Sequence, residues 1–435
     1  MLTRLELDGF KTFRNFALDF QPFMVFIGPN GVGKTNLFDA LMLLARLAEG
    51  ALLEEAMLHT RGEPIELFTL YADGRRAERI HLAAEILLDR EVIGANGKPF
   101  APTNTRLRYE LTIARRGERA HIAAESLLPI QESKDTWVKE HIPSKARKAW
   151  IVRERRPPYI ATIGEGSELI IYRNQDTLAG GREGLKIGDL RKSALGTADP
   201  IRYPTIHAVQ QAMCNWRVLR FSAEQLRQPC AANADARLQP DGANLPAVLA
   251  RLLREQPEAV ANITQVLQAM LPQVKALEVK TLNGERHLIE LVGQDSTRFS
   301  SRVLSDGTLR LLALAALRFD ADQRGTICFE EPENGIQLLR LPDMVSVLYG
   351  LALNLEREIP EGTRNPLLRQ ALVNTHSPSI LANVPTDSVY YLGLRKAEDG
   401  QYTYAVSVRP ELIPDEQERY RTWGQIQQEL SGAAQ

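Results

Sequence analysis

Cysteine is scarce in this chain: Cys214, Cys230 and Cys328 are its three, without CxxC spacing or partnering histidines. That excludes a disulfide framework and a spaced zinc site, and it points to a reducing compartment. Long apolar runs are missing as well; none approaches the roughly 20 residues needed to cross a bilayer. The opening MLTRLELDGF lacks the basic-then-apolar order of a signal peptide. The expected location is therefore the cytoplasm, with no membrane partner. Net charge is nearly absent, at -1 from 53 Lys+Arg and 54 Asp+Glu. A globally basic nucleic-acid binder is ruled out, but a local basic patch is not. There is no internal repeat and no low-complexity tract. With 435 residues the chain exceeds the size at which one core keeps growing, so two or three structural units are expected.

What is present begins with extended runs. RLELDGFKTF and NFALDF read as short strands, and FMVFI as a continuous apolar strand suited to a sheet interior. GPNGVGKTN comes next, then LFDALMLLARLAEGALLEEA, whose leucines and alanines recur at helical spacing. ERIHLAAEILL is a further strand, and LRYELTIARRGERAHIAAESL is a hairpin turning at RRGER. From about 131 to 290 the character changes to a basic, proline-punctuated stretch, a loop-like NQDTLAGGREGLKIGD and two amphipathic helices. This span reads as an insertion between two halves of one fold, 1–130 and 291–435. In the second half LRLLALAALRFDA is helical, GTICFE is a buried strand, and RQALVNTHSP is a strand ending in a turn.

GPNGVGKT fits G-x-x-x-x-G-K-[ST] at Gly28, Gly33, Lys34 and Thr35. A chance match in this length is about one to two per cent, less after a strand and before a helix. Glycines allow the backbone of Gly28, Pro29, Asn30, Gly31, Val32, Gly33 and on to Asn36 to wrap tightly around an anion. The wrap turns N–H groups inward, and the following helix adds its positive end. Lys34 would reach the outer phosphates of ATP, and the Thr35 hydroxyl would bind Mg²⁺.

FEEPENG gathers Glu330, Glu331 and Glu333 at the end of an apolar run, with Pro332 breaking any helix. Such crowding needs a compensating cation, and a phosphate cradle supplies one. In this chemistry one carboxylate holds the metal and the next orients or deprotonates the attacking water. Glu330 takes the metal side and Glu331 the base; Glu333 supports the metal shell or caps the segment after it. In LSDGTLRLLALAALR, Ser305, Asp306 and Gly307 would cap a second helix whose N-terminus is free for an anion. One nucleotide needs one cradle, so this end would serve a nucleotide held by another copy. His376, after the strand in LVNTHSP, could hydrogen-bond the terminal phosphate, or be structural.

These motifs in this order, with GFKTF at the start, resemble the ATPase heads of the RecF and SMC group within the ABC class. LSDGTLR, EEPENGI, WRVLRFSAEQLRQP and LQPDGANLPAVL look closest to stand-alone ATPases related to OLD-family heads. The resemblance implies an α/β P-loop ATPase head with two lobes, a mixed sheet around a central helix, and a helical and basic middle insertion. It implies that Gly28–Asn36 is Walker A, Ser305–Gly307 the signature completing a partner's site, and Glu330 and Glu331 the Walker B and base. His376 would be the switch histidine, and Arg61 in HTRGEP either an arginine loop or a surface residue. It further implies a homodimer or higher homo-oligomer and a separately encoded effector, a nuclease or toxin, in anti-phage defence. Departures are Glu330 in place of aspartate, Gln337 and Leu338 after ENGI, no placeable Q-loop glutamine, no coiled-coil arm and no room for a nuclease domain.

Nucleic acid is a further candidate partner. Between Lys134 and Arg156 stand eight basic residues against three acids, with Trp137 and Trp150 interleaved. Basic residues with aromatics can track phosphates and stack bases, or form a solvated face with the tryptophans inside. Two other functions compete: a non-hydrolytic scaffold that uses ATP as glue, and a transporter motor, whose heads are shorter than this chain.

Overall fold

The computed structural model describes residues 1–94, 97–154, 157–164, 169–176, 181–186, 191–355, 368–409 and 420–432. Its centre is a seven-stranded sheet whose order interleaves the two ends of the chain. The apolar strand Phe23–Ile27 lies between Arg369–Thr375 and Val389–Ala397, parallel to both. Gly325–Glu330 pairs parallel with Arg369–Thr375, and Arg217–Leu219 with Gly325–Glu330. Gly400–Arg409 and Tyr420–Thr422 extend the other edge. Parallel strands are buried on both faces and read as unbroken apolar runs, which is why FMVFI and GTICFE are fully buried.

Alternation along Phe23–Ile27 separates the two main cores of the molecule. Met24 and Phe26 face one, which they share with the helix Lys34–Ala48 and the inward residues of a second sheet. Phe23, Val25 and Ile27 face the other, packed with Leu245–Glu255, Pro257–Met270, Asp306–Phe319 and Leu341–Leu351. Lys34–Ala48 buries 11 of its 15 residues. A helix apolar nearly all round has to be enclosed, and here it shares one core with both sheets. The expected mixed α/β arrangement around a central helix is present.

The second sheet has eight antiparallel strands. Leu2–Asp8 pairs with Phe16–Asp19 and Arg79–Leu87, then come the hairpin Arg106–Arg116/Arg119–Pro129 and three more strands. The two sheets are stitched at Gln370, whose amide donates to Leu2 O (2.8 Å) and accepts from Leu2 N (3.1 Å).

Two local expectations are corrected, the loop at 174–189 and the single helical run after the cradle. The span 131–290 is divided among three sheets: Ile160–Ile163, Ile170–Asn174 and Arg182–Lys186 continue the antiparallel one, and Arg217–Leu219 edges the central one. Val274–Leu282 and Arg286–Gly293 build a small third sheet. The stretch expected as a loop at 174–189 thus holds a strand, though its residues 177–180 and 187–189 lie outside the described residues. The helical run after the cradle is two helices, Lys34–Ala48 and Leu53–Leu58, broken where Gly50 adopts φ +84°. Trp137 and Trp150 are each 2% exposed, packed with Leu355 and Leu368. Trp137 Nε1 donates to Phe20 O at 2.7 Å. They present no face on which bases could stack. Arg155 and Arg156 of that basic segment, like most of the tail before Trp423, fall outside the described residues. Among the described residues, no helix is long and apolar enough to cross a membrane.

Candidate functional site

Four neighbouring parallel strands end on one edge of the central sheet, and each delivers a functional group there. Gly28 follows Ile27, Asn374 and Thr375 end Arg369–Thr375, Glu330 and Glu331 end Gly325–Glu330, and Arg220 follows Leu219. The register aligns them: Ile27 opposite Thr375, Asn374 opposite Glu330, Leu219 opposite Phe329. Open α/β sheets bind ligands outside the carboxyl ends of their parallel strands.

The glycine loop wraps as its sequence suggests. Gly33 caps the helix at φ +99°, and a Cβ there would sit 2.4 Å from Thr403 Oγ1 and 2.5 Å from Thr12 Oγ1. Those two hydroxyls brace the loop: Thr403 Oγ1 donates to Val32 O at 2.7 Å, and Asn36 Nδ2 to Thr12 Oγ1 at 3.1 Å. Thr12 comes from GFKTF, so that turn buttresses the cradle. A Cβ on Gly28 would meet Leu392 O at 2.1 Å. Lys34 is 7% exposed, and its ammonium donates to Gly28 O (2.6 Å) and Pro29 O (2.8 Å). Burial lowers its pKa from 10.5 to about 8, opposed by Glu331 and Glu333.

Glu331 adopts φ +47°, a left-handed conformation costing a non-glycine residue about 1–3 kcal/mol. Its backbone N–H is fixed to Asn374 O at 2.8 Å. Its carboxylate accepts from Asn334 Nδ2 (2.8 Å) and from His376 Nδ1 (2.9 Å). A carboxylate only accepts, so the hydrogen lies on Nδ1. Burial pushes this carboxyl up, but the Asn334 and His376 bonds outweigh it and hold it below its ordinary value. Glu333 differs: it is 7% exposed, accepts from the Thr375 hydroxyl, and is pushed upward by burial. It ties the acidic turn to the neighbouring strand.

Glu330 is also buried, at 8% exposure. Arg61 Nη2 lies 2.8 Å and 2.9 Å from its two oxygens, and Arg220 also ion-pairs with it. Arg61 is held in turn by Lys11, whose ammonium donates to Arg61 O (2.8 Å) and Asp39 (2.6 Å). Asn374 Nδ2 faces Thr35 Oγ1 at 3.4 Å, while Asn374 Oδ1 is buried with no partner among the described residues. An unpaired buried carbonyl oxygen is costly. Thr35, Glu330 and Asn374 together form an all-oxygen donor set that suits a hard divalent cation. Magnesium is commonly held by one or two carboxylates plus substrate phosphates. Accordingly, among the described residues no cluster of three or more His, Cys, Asp or Glu forms a protein-only cage.

Ser305, Asp306 and Gly307 start the 14-residue helix Asp306–Phe319 elsewhere. Ser305 Oγ accepts from Thr308 N at 3.2 Å, and Asp306 ion-pairs with Arg227. A Cβ on Gly307 would lie 3.0 Å from Gly335 O, so this helix start abuts the end of the acidic turn. Ser305 is exposed, as are Val303, two positions before it, and Leu338 and Leu339, which follow the turn that Gly307 abuts; the three are 70%, 69% and 88% exposed. Sequence reading missed Arg220, Asn374, Asn334, Thr12 and Lys11. Thr12 and Lys11 sat inside a quoted motif; Asn374 precedes His376 by two positions, as a strand end would require. Arg220 and Asn334 also sat inside quoted motifs, WRVLRFSAEQLRQP and FEEPENG, without being singled out.

Residues 99–382 match the family model described as "AAA domain, putative AbiEii toxin, Type IV TA system". The chain belongs to that family. Residues 1–99 match a second model, an "AAA ATPase domain". A DNA replication and repair protein RecF of Acidothermus cellulolyticus is 42% identical over 89 residues, 17% of this chain and 24% of that protein. The match spans about a quarter of the relative's length. Among solved structures, an SMC head bound to the C-winged helix domain of ScpA aligns over 93% of this chain and 98% of its own. Its TM-score is 0.50 at 13% identity. An SMC head from Thermotoga maritima aligns over 94% and 99%, with TM-score 0.43 and 12% identity. The family models, the RecF relative and the fold shared with the ScpA-bound SMC head mark a RecF/SMC-like ABC-type P-loop ATPase fold.

Proposed function

We propose that this chain binds ATP with Mg²⁺ at the four strand ends and hydrolyses it when two copies close on the nucleotide. The convergence of the glycine loop, Thr35, Glu330, Glu331, Asn374 and His376 on one sheet edge carries this reading. Bound Mg²⁺ supplies charge neutralisation on the phosphates. The loop N–H groups and helix end hold the phosphate oxygens, and Lys34 exchanges two loop carbonyls for them. Thr35 and Glu330 hold the cation, with Asn374 Oδ1 available to it or to its water. Glu331, aimed by Asn334 and His376, takes a proton from the attacking water. His376 keeps its Nδ1 hydrogen on that carboxylate; a bond from its Nε2 to the terminal phosphate requires the doubly protonated ring, in which both nitrogens donate.

The exposed helix start at Ser305, and the solvent-facing apolar side chains Val303, Leu338 and Leu339, support its use by a second copy's nucleotide. In this reading 1–130 and 291–435 form two ATPase lobes, with the middle span braced across both. The family description names a toxin–antitoxin system, and the SMC head is described with bound ScpA. Both support control of a separately encoded protein partner, a nuclease or toxin in anti-phage defence.

Glu331→Gln tests the assignment. A positioned general base contributes typically 10²–10⁴-fold, so phosphate release should fall by about that factor while ATP binding persists. The variant should accumulate as an ATP-bound dimer in sedimentation. Turnover at the wild-type rate removes Glu331 from the base role.

A further inference from the structure

Glu330 is the carboxylate on which cation binding depends, yet both its oxygens are engaged by arginine. Arg61 bridges them at 2.8 Å and 2.9 Å, and Arg220 ion-pairs with Oε2. The Glu330 side chain is 7% exposed, whereas those of Arg61 and Arg220 are 49% and 59% exposed. One buried carboxylate needs one counter-charge. Here two guanidiniums meet it, one more than a simple ion pair requires. Both backbones are anchored while both side chains are open to solvent. Lys11 holds Arg61 O at 2.8 Å, and Arg220 N–H donates to Pro240 O at 2.8 Å. The guanidiniums are half-exposed arms on fixed pivots, reaching in to a buried anion.

We propose that Arg61 and Arg220 are placeholders for the divalent cation. They neutralise Glu330 in the metal-free protein and are displaced when the cation enters, which frees both guanidiniums for phosphate oxygens. This rests on the ATP–Mg²⁺ reading above. The chemistry follows from charge and from lone pairs. Glu330 cannot donate its oxygens to a cation while three arginine contacts occupy them. Nor can a dication settle beside two guanidiniums unless negative charge arrives with it. Triphosphate brings that charge and offers the displaced arginines new, well-matched acceptors. The consequence is ordered loading: the free cation is rejected, and the cation–nucleotide pair is accepted as a unit.

Mn²⁺ titration followed by electron paramagnetic resonance reads this directly on the full chain, without nucleotide. Removing an opposing charge at this range alters a carboxylate's affinity for a positive ligand by on the order of tenfold or more. Arg61→Gln/Arg220→Gln should bind Mn²⁺ at least about tenfold more tightly than wild type, and Arg61→Lys/Arg220→Lys should also bind it more tightly, by less. Lysine keeps the charge but not the forked contact. With a non-hydrolysable ATP analogue present, the glutamine variant should instead lose nucleotide affinity. Since all four side-chain changes are at half-exposed positions, thermal melting serves as the folding control.

Unchanged Mn²⁺ affinity in both double variants, with normal Mn²⁺–analogue binding by wild type, overturns the placeholder role and leaves the ATP reading standing. Tightening in the glutamine variant alone also overturns it, because net charge then suffices. Failure of wild type to bind Mn²⁺ with the analogue overturns the ATP reading itself.

Discussion

Raising the pH should stabilise the nucleotide-free protein through Lys34. This lysine is 7% exposed, and burial lowers its pKa from 10.5 to about 8. In the unfolded chain it keeps its proton up to the ordinary value; in the folded chain it releases it near pH 8. Between those values the unfolded state binds more protons, so stability rises with pH. At 1.36 kcal/mol per unit the contribution amounts to about 3 kcal/mol, complete by about pH 10.5. For a chain of this length, at about 2 cal/mol/K per residue, that is a melting shift of about 3–4 °C. Buried tyrosines and thiols act in the opposite sense over the same range, so the comparison has to be with Lys34→Met. The difference in melting temperature between wild type and variant should grow by about that amount from pH 8 to pH 10.5. Adding ATP with Mg²⁺ should flatten the wild-type slope, because phosphate charge restores the lysine's affinity for its proton. A difference that stays constant with pH refutes the buried, strained state of Lys34.

Gly28→Ala places a methyl 2.1 Å from Leu392 O; the loop has to shift, and equilibrium dialysis should show ATP affinity reduced by at least about tenfold, since the N–H cradle no longer converges. Ser305→Arg puts bulk and charge on the exposed helix start; ATP binding should persist while hydrolysis and nucleotide-dependent dimerisation are lost, as read by phosphate release and sedimentation. Trp137→Ala empties a buried site and strands Phe20 O; calorimetry should show a loss of about 3–5 kcal/mol. Any affinity for single-stranded nucleic acid should survive that change, because the ring is inside.

The cradle, the acidic strand and the central helix were legible because each is local. Phe23–Ile27 and Gly325–Glu330 are apolar without interruption, as strands covered on both faces must be. The register that brings Asn374 level with Glu330 was not, since strand order is a long-range property. Arg182–Lys186 escaped notice because REGLK reads as polar loop and sits at a sheet edge. Sequence left Trp137 and Trp150 open between stacking bases and packing inside for a related reason: their neighbours in sequence are charged, but their neighbours in space are Leu355 and Leu368. Arg61 and Arg220 lie 269 and 110 positions from Glu330, beyond any spacing rule.

The strand that launches the glycine loop has for its two sheet neighbours segments made some 350 residues later. At typical synthesis speeds of about 5–20 residues per second, Phe23–Ile27 waits on the order of half a minute for Arg369–Thr375 to leave the ribosome. Until then neither wall of its slot exists, and Asn374, Thr375 and His376 are not yet in place beside Gly28. A nascent chain thus lacks the four-strand edge, and the site assembles abruptly when the stretch from Arg369 to Ala397 docks.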